Sequence, residues 1–118
     1  MSDEKLIIYH NPRCSKSRET LQILRDNNRQ PEIIEYLHQP PNKQELTKII
    51  KMLGISPRQL LRATEPEYEA AGLDDESISD EQIIEAICKN PPLLQRPIVV
   101  HGNKAIIGRP PTKVLDIV

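Results

Sequence analysis

The sequence contains very few aromatic residues and no long hydrophobic run. Its 118 residues include three Tyr, no Phe and no Trp, so a core must be built mainly from Ile, Leu and Val. The length fits one domain, residues 1–118, with a small core. No apolar stretch is long enough to span a bilayer, and the N-terminus lacks the layout of a signal peptide. We therefore expect a cytoplasmic protein with no membrane partner.

The charge and the cysteine content exclude several further classes of protein. The formal net charge is -1, which provides no global basic field for nucleic acid. Two cysteines, Cys14 and Cys88, lie far apart and indicate a reducing compartment rather than a disulfide framework. The histidines, His10, His38 and His101, are scattered, and none forms a Cys/His pair at ligand spacing, so we predict no metal site. A monomer without a bound cofactor is the default expectation.

The predicted elements follow one another in the order βαβ, a helical block and then ββα. A short β-branched run, a helical segment at 17–28 and a second apolar run form a βαβ unit. Residues at about 42–90 are helical in pattern, and a hairpin and a Pro-initiated helix close the chain. In the thioredoxin fold such βαβ and ββα halves share one four-stranded mixed sheet, so the helical block is predicted to be an insertion forming a helical subdomain. The predicted strands are Lys5–Tyr9, Pro31–Leu37, Pro97–Val100 and Lys104–Gly108.

Cys14 lies between the first predicted strand and the helix that follows, in the segment "YHNPRCSKSRETL". A cysteine at a helix N-terminus is exposed to the positive end of the helix dipole and to free amide donors, which favour the thiolate. Arg13, Lys16 and Arg18 act in the same direction, and His10 would do so when protonated. The same donors suit an oxyanion. The pattern predicts a nucleophilic thiolate beside an anion, although an ordinary cysteine ending a strand fits the local pattern too.

Other thiol chemistries are less well supported. Cys88 falls on the apolar face of a predicted helix, which is typical of a small core residue. The position three residues after Cys14 is Ser17, so no local dithiol is present and disulfide chemistry needs a second thiol from elsewhere. A tyrosine-phosphatase loop requires Arg six positions after the cysteine, where this chain has Thr20. We therefore expect one-cysteine chemistry.

Three arginines, Arg62, Arg96 and Arg109, stand at the boundaries of predicted elements. Loop ends converge on one rim of an α/β sheet, where functional residues concentrate. Arginine is suited to forked recognition of oxyanions. A solvated surface charge is the alternative for each of them alone.

Four segments, "YHNPRCSKSRETL", "LLRATEPEYEAAGL", "LLQRPIVV" and "GRPPTKVLDIV", resemble the glutaredoxin-coupled arsenate reductase family, and its bacterial arsenate reductase-like branch most closely. The resemblance covers nearly the whole chain in the same order. It implies a thioredoxin-like domain in which Cys14 attacks arsenate, glutathione attacks the adduct as co-substrate, and glutaredoxin completes reduction to arsenite.

The resemblance also implies roles for individual residues. His10, Ser17 and Arg18 match the positions that favour the thiolate, and a cis-proline beside the cysteine is expected at Pro97. Ser15-Lys16 replaces the Gly-Thr that follows the cysteine in the best-studied reductases of the family. The oxyanion-binding positions are matched by Arg62, Arg96 and Arg109.

Two other functions remain open at this point. One is a monothiol, glutaredoxin-like oxidoreductase acting on mixed disulfides, because C-x-x-S is compatible with one-cysteine exchange. The other is a redox-linked regulator that binds a protein partner. The three arginines favour arsenate reduction, since disulfide exchange does not need an oxyanion site.

Overall fold

The computed structural model describes residues 5–62, 65–94 and 97–118. The chain divides into two compact units. The described residues of the first unit are 5–39 and 97–118, and those of the second are 40–62 and 65–94. The insertion predicted at about 42–90 falls in the second unit.

The first unit contains a four-stranded mixed sheet with the strand order β2-β1-β3-β4. The central strand β1 is parallel to β2 and antiparallel to β3, and β3 forms the hairpin with β4. This sheet and its helices confirm the predicted α/β, thioredoxin-like class. The strands are β1 (Leu6–His10), β2 (Glu32–Glu35), β3 (Ile98–His101) and β4 (Lys104–Ile107).

One face of this sheet is covered by helix α1 (Ser15–Asp26) and a C-terminal 3-10 helix (Pro111–Asp116). The 3-10 helix takes the place of the predicted Pro-initiated terminal helix. The two helices contribute to a cluster of buried aliphatic side chains, as the scarcity of aromatic residues requires. The buried members of that cluster are Ile8, Leu21, Leu24, Val99 and Val114.

The second unit is helical, and its described helices begin and end at recognisable signals. Helix α2 (Lys43–Leu53) has a capping box at Asn42 and ends at Gly54 in the left-handed region, with φ of 69°. Helix α4 (Asp80–Lys89) has a capping box at Ser79. The other helices among the described residues of the second unit are a 3-10 helix (Pro57–Leu60), α3 (Pro66–Ala70) and a second 3-10 helix (Pro91–Leu93). No helix in the described ranges is long and apolar enough to cross a membrane.

The element bounds differ from the sequence prediction by a few residues. The strand predicted at Pro31–Leu37 ends at Glu35, because the amides of His38 and Gln39 both bond to the Glu35 carbonyl and turn the chain. The Arg96–Pro97 peptide bond, expected to be cis, involves Arg96 and lies outside the described residues. A cis bond is present between Arg109 and Pro110.

Gly108, at the end of β4, lies too close to helix α1 for a side chain. A Cβ at this position would lie 2.7 Å from Thr20 Oγ1 and 2.9 Å from Pro97 Cγ. Thr20 is fully buried and its hydroxyl donates to the Lys16 carbonyl at 2.8 Å, so it has little freedom to move. Gly108→Ala should therefore lower the free energy of unfolding by about 1–3 kcal/mol, the usual cost of overpacking, as measured by urea denaturation.

The double variant with Thr20→Ala identifies the cause of that loss. Removing the threonine side chain removes the closest contact, so the double variant should be more stable than the sum of the two single changes predicts. Strict additivity would contradict the contact.

Candidate active site

The loop between β1 and α1 places Cys14 at the start of the helix. Cys14 is the N-cap of α1, with φ −93° and ψ 122°. Its amide donates to the Asn11 carbonyl at 3.0 Å, the Arg13 amide donates to Asn11 Oδ1 at 3.0 Å, and the Arg18 amide donates to the Cys14 carbonyl at 3.0 Å. These bonds fix the backbone on both sides of the cysteine. The predicted position of Cys14 at a helix N-terminus is confirmed.

The surroundings of Cys14 suit a reactive thiol. The residue is partly exposed, and the first turn of α1 contains no acidic residue that would oppose the thiolate. Arg13 and Lys16 on either side are exposed. The positive end of the helix dipole acts on any anion held here, whether it is the thiolate itself or a bound oxyanion.

A buried polar cluster lies beneath this loop. His10 Nδ1 and Ser17 Oγ are 2.6 Å apart, and the Asn11 amide donates to the same hydroxyl at 3.0 Å. Ser17 is fully buried, and His10 and Asn11 are 6% and 7% exposed. Ser17 is the third residue of α1, so the cluster ties the last residue of β1 to the first turn of the helix. The structure thus brings His10 and Ser17 together, as expected for residues acting on one site.

Burial changes the expected role of His10. The pKa of His10 is lowered from its ordinary value, chiefly by burial and further by the charges of Arg25 and Arg18, while Glu35 opposes the shift. The neutral imidazole is therefore favoured. The protonated form in which His10 is expected to favour the thiolate is thus disfavoured, and the ring is held by the contact of its Nδ1 with Ser17 Oγ.

The lowered pKa of His10 makes stability depend on pH in a defined window. The ordinary pKa of histidine is about 6.5. Below that pH, His10 binds a proton in the unfolded chain but not yet in the folded protein, so the free energy of unfolding falls as pH falls. This decline ends at the pKa of His10 in the folded protein, which lies below the ordinary value. His10→Asn, which cannot take up this proton, should flatten that part of the curve in denaturation measured at a series of pH values.

His38 provides the matched control for this experiment. Its side chain is exposed, so His38→Asn should leave the slope as it is in the unmodified protein. An equal loss of slope in both variants would contradict the assignment to His10.

Arg18 supports the loop directly. Its Nη1 donates to the Pro12 carbonyl at 2.8 Å, and the residue is exposed. Because Pro12 is two residues before Cys14, this bond ties the guanidinium to the backbone of the loop. A positive charge is thereby kept near the start of α1.

The structure describes two of the three arginines expected to bind an oxyanion. Arg62, in the second unit, donates its amide to the Leu93 carbonyl at 2.8 Å, and its Nη1 is buried with no hydrogen-bond partner among the described residues. Arg109, in the first unit, is partly buried and follows Gly108. Arg96 lies outside the described residues. Convergence of the three on one anion stays a prediction.

Cys88 has the properties of a structural thiol. It lies on α4 and is partly buried. Burial raises its pKa, and the carboxylates of Glu45 and Glu85 raise it further. A thiol held in its neutral form is a poor nucleophile, in contrast to Cys14 at its helix start.

Two residues that the sequence reading did not single out contribute to the site. Asn11 braces the loop through both its side chain and its carbonyl, which the Asn-Pro pair could have signalled as a turn. Glu35 stands opposite His10 in the parallel register of β1 and β2. That pairing follows from the strand register, which the sequence does not specify.

The comparisons with known proteins agree with this arrangement. The protein YfgD of Escherichia coli (strain K12), described as uncharacterized, is 51% identical over 112 residues, covering 94% of this chain and 94% of YfgD. An arsenate reductase of Haemophilus influenzae is 46% identical over 113 residues, covering 95% of this chain and 97% of that protein. The solved structure of an arsenate reductase from Vibrio cholerae superposes with a TM-score of 0.95 at 40% identity, covering 99% and 100% of the two chains.

The family match extends over almost the whole chain and includes the loop, the buried cluster and the hairpin. The ArsC family model matches residues 9–117, a span that contains every candidate site residue from His10 to Arg109. The chain belongs to the ArsC family.

Proposed function

We propose that this protein is an arsenate reductase in which the Cys14 thiolate is the nucleophile. Membership of the ArsC family and the similarity to proteins named arsenate reductase support this activity. The placement of Cys14 at the N-terminus of α1 supports its role, because the helix start favours both a thiolate and a bound oxyanion.

The first chemical step forms a sulfur–arsenic bond. The thiolate attacks the arsenic of dihydrogen arsenate, one arsenic–oxygen bond breaks, and the departing oxygen takes up one proton to leave as water. Arsenic remains pentavalent in this adduct. Glutathione then attacks the adduct, and glutaredoxin completes the reduction. Over the whole cycle two thiols are oxidised to a disulfide, and their two electrons reduce arsenate to arsenite.

The observation that carries the proposal of an oxyanion substrate is the buried Nη1 of Arg62. A guanidinium N–H buried without a partner loses its bonds to water and is costly, and no described residue accepts from it. A tetrahedral oxyanion supplies acceptors of the right charge, and Arg binds such groups through charge-assisted hydrogen bonds. Arg96 and Arg109 are proposed as the other two ligands, by their match to the family's positions.

Glutathione and glutaredoxin are proposed as the reducing partners, consistent with a monomeric cytoplasmic enzyme that needs no resident cofactor. The test is a coupled assay in which NADPH oxidation is followed through glutathione reductase, with glutathione and glutaredoxin present. Arsenate and a glutathione mixed disulfide are compared as substrates. The proposal predicts arsenate-dependent oxidation that requires this protein. In a parallel assay without glutaredoxin, which itself reduces such disulfides, activity on the mixed disulfide alone would favour the monothiol oxidoreductase instead.

A further inference from the structure

A cavity of about 180 Å³ opens at the carboxyl ends of the parallel strands β1 and β2. Ligands of open α/β sheets bind in the crevice beyond the carboxyl ends of the strands. One wall is the segment that leads from β1 towards the cysteine, residues 10–13, and the other contains Glu35, Leu37 and His38. Arg13 of the first wall directly precedes Cys14, so the cavity adjoins the start of α1.

Two opposite charges line this cavity without forming a salt bridge to each other. Glu35 is the last residue of β2, and both it and Arg13 are exposed. The salt bridges among the described residues join Lys5 to Glu32 and Lys43 to two glutamates of α4, so neither Glu35 nor Arg13 takes part in one. A carboxylate and a guanidinium at one cavity suit a ligand that carries both a cation and an anion.

Uncharged groups make up much of the rest of the wall. The pKa of His10 is lowered, chiefly by burial, which favours its neutral form. Pro12 and Leu37 contribute apolar surface, against which the methylene groups of a ligand can pack. An inorganic oxyanion such as arsenate fits this cavity poorly, because the carboxylate of Glu35 repels it.

Backbone hydrogen bonds hold both walls in place. The Cys14 amide donates to the Asn11 carbonyl at 3.0 Å, and the amides of His38 and Gln39 donate to the Glu35 carbonyl at 2.9 Å. A site with ordered walls loses less conformational entropy when a ligand binds. The cavity is smaller than the roughly 300 Å³ at which pockets begin to enclose a whole small molecule, so it suits one end of a longer ligand.

We propose that this cavity binds the γ-glutamyl end of the thiol co-substrate glutathione, with Glu35 pairing with its α-ammonium group and Arg13 with its α-carboxylate. The γ-glutamyl end carries these two charges on one carbon, followed by two methylene groups that suit Pro12 and Leu37. The thiol lies on the next residue of the tripeptide, as Cys14 is the next residue after Arg13. Binding of one end therefore raises the effective concentration of the thiol near the start of α1. The inference rests on the proposed arsenate chemistry for the use made of this thiol.

S-methylglutathione, whose sulfur is blocked and cannot react with Cys14, tests the site without arsenate. It is titrated into the unmodified protein and followed by NMR. The backbone signals of residues 11–13 and 35–38 and the methyl signals of Leu37 should shift together and give one Kd.

Variants of the two charged residues test how the ligand is recognised. Glu35→Gln and Arg13→Gln should each weaken the binding of S-methylglutathione about three- to fivefold, the size expected when one solvent-accessible ion pair is lost. Glu32→Gln, on the same strand but paired with Lys5 at 3.3 Å, should leave Kd unchanged. Arg29→Gln, at an exposed position outside the cavity wall, is the matched control for the arginine and should also leave Kd unchanged.

A change in the ligand tests the pairing of Glu35 with the ammonium group. Acetylation of the γ-glutamyl amine removes that charge, so S-methyl-N-acetylglutathione should bind the unmodified protein more weakly than S-methylglutathione does. Glu35→Gln should then cause no further loss, because the interaction is already absent. An equal loss with both ligands would contradict this pairing.

Steady-state kinetics connects the site with turnover. In the coupled assay Glu35→Gln should raise KM for glutathione about three- to fivefold, the same factor as in the binding experiment, and leave KM for arsenate unchanged. Alkylation of Cys14 by iodoacetamide, which uses no glutathione, reports any separate change in the reactivity of the thiol.

The outcomes separate this site from the proposed function. Charge-dependent binding of S-methylglutathione at the cavity of a protein that does not reduce arsenate would overturn the proposed substrate and support the glutathione site. Arsenate reduction without any shift at the cavity walls would overturn the site alone, as would a Kd that neither Glu35→Gln nor Arg13→Gln changes. Shifts at these walls caused by glutaredoxin, with none from S-methylglutathione, would assign the cavity to a protein partner and overturn the site.

Discussion

Replacement of Cys14 with serine should abolish arsenate reduction, with a loss of at least about 10³-fold in kcat, since removing the nucleophile removes the covalent pathway. Serine keeps the size and the helix-start position of the side chain, so the fold should be retained. The hydroxyl is not ionised at this position at neutral pH, because its proton is far more tightly held than that of a thiol. The measurement is the arsenate-dependent rate in the coupled assay, with circular dichroism as the check on folding.

Cys88→Ala is the matched control for this loss. Cys88 is partly buried, and its pKa is raised by burial and by two carboxylates, so it should contribute nothing as a nucleophile. The variant should retain most of the activity and lose only the small packing contribution of a partly buried side chain. A folded Cys88→Ala protein as inactive as Cys14→Ser would show that the reaction needs two thiols of this chain.

Alanine at any one of three positions should lower kcat/KM for arsenate by about 10²–10³-fold, the usual effect of removing one donor from an oxyanion site. These positions are Arg62, Arg96 and Arg109. Arg62 has the clearest physical case, because its Nη1 is buried without a partner among the described residues. Lysine should rescue each position only in part, since it lacks the planar fork that binds two oxygens together. Steady-state kinetics over a range of arsenate concentrations measures the effect.

Two controls separate anion binding from general damage. Alkylation of Cys14 by neutral iodoacetamide does not require an anion site, so its rate should change much less than arsenate reduction in the same variants. Arg29 is exposed, and Arg29→Ala should reduce arsenate normally. If all three site variants also reduced arsenate at the normal rate, the anion would bind elsewhere. The hypothesis of a monothiol, glutaredoxin-like oxidoreductase would then be preferred.

The position of Cys14 could be predicted because it depends on local signals. A β-branched run is followed by apolar residues at helical spacing, and the boundary between the two periodicities falls at the cysteine. The capping residues Asn42 and Ser79 and the stop at Gly54 are equally local, and the described helices begin and end there. Such signals require only the few residues around them.

The state of the buried cluster could not be predicted in this way. Whether His10 is charged depends on how deeply the loop and α1 bury it, and on a carboxylate that the strand register places opposite it. The unpartnered Nη1 of Arg62 likewise depends on packing within the second unit. Gly108 looks like an ordinary strand end in the sequence, and only its distance to Thr20 reveals why a side chain is excluded.

Direct measurement of the product tests the central claim, that the Cys14 thiolate reduces arsenate. The protein is incubated with arsenate, glutathione and glutaredoxin, and arsenite is separated from arsenate by chromatography and quantified. We predict that arsenite accumulates over many turnovers with the unmodified protein and with Cys88→Ala, and stays at the level of the protein-free reaction with Cys14→Ser. Arsenite formation by Cys14→Ser at the unmodified rate, or none by the unmodified protein, would contradict the claim.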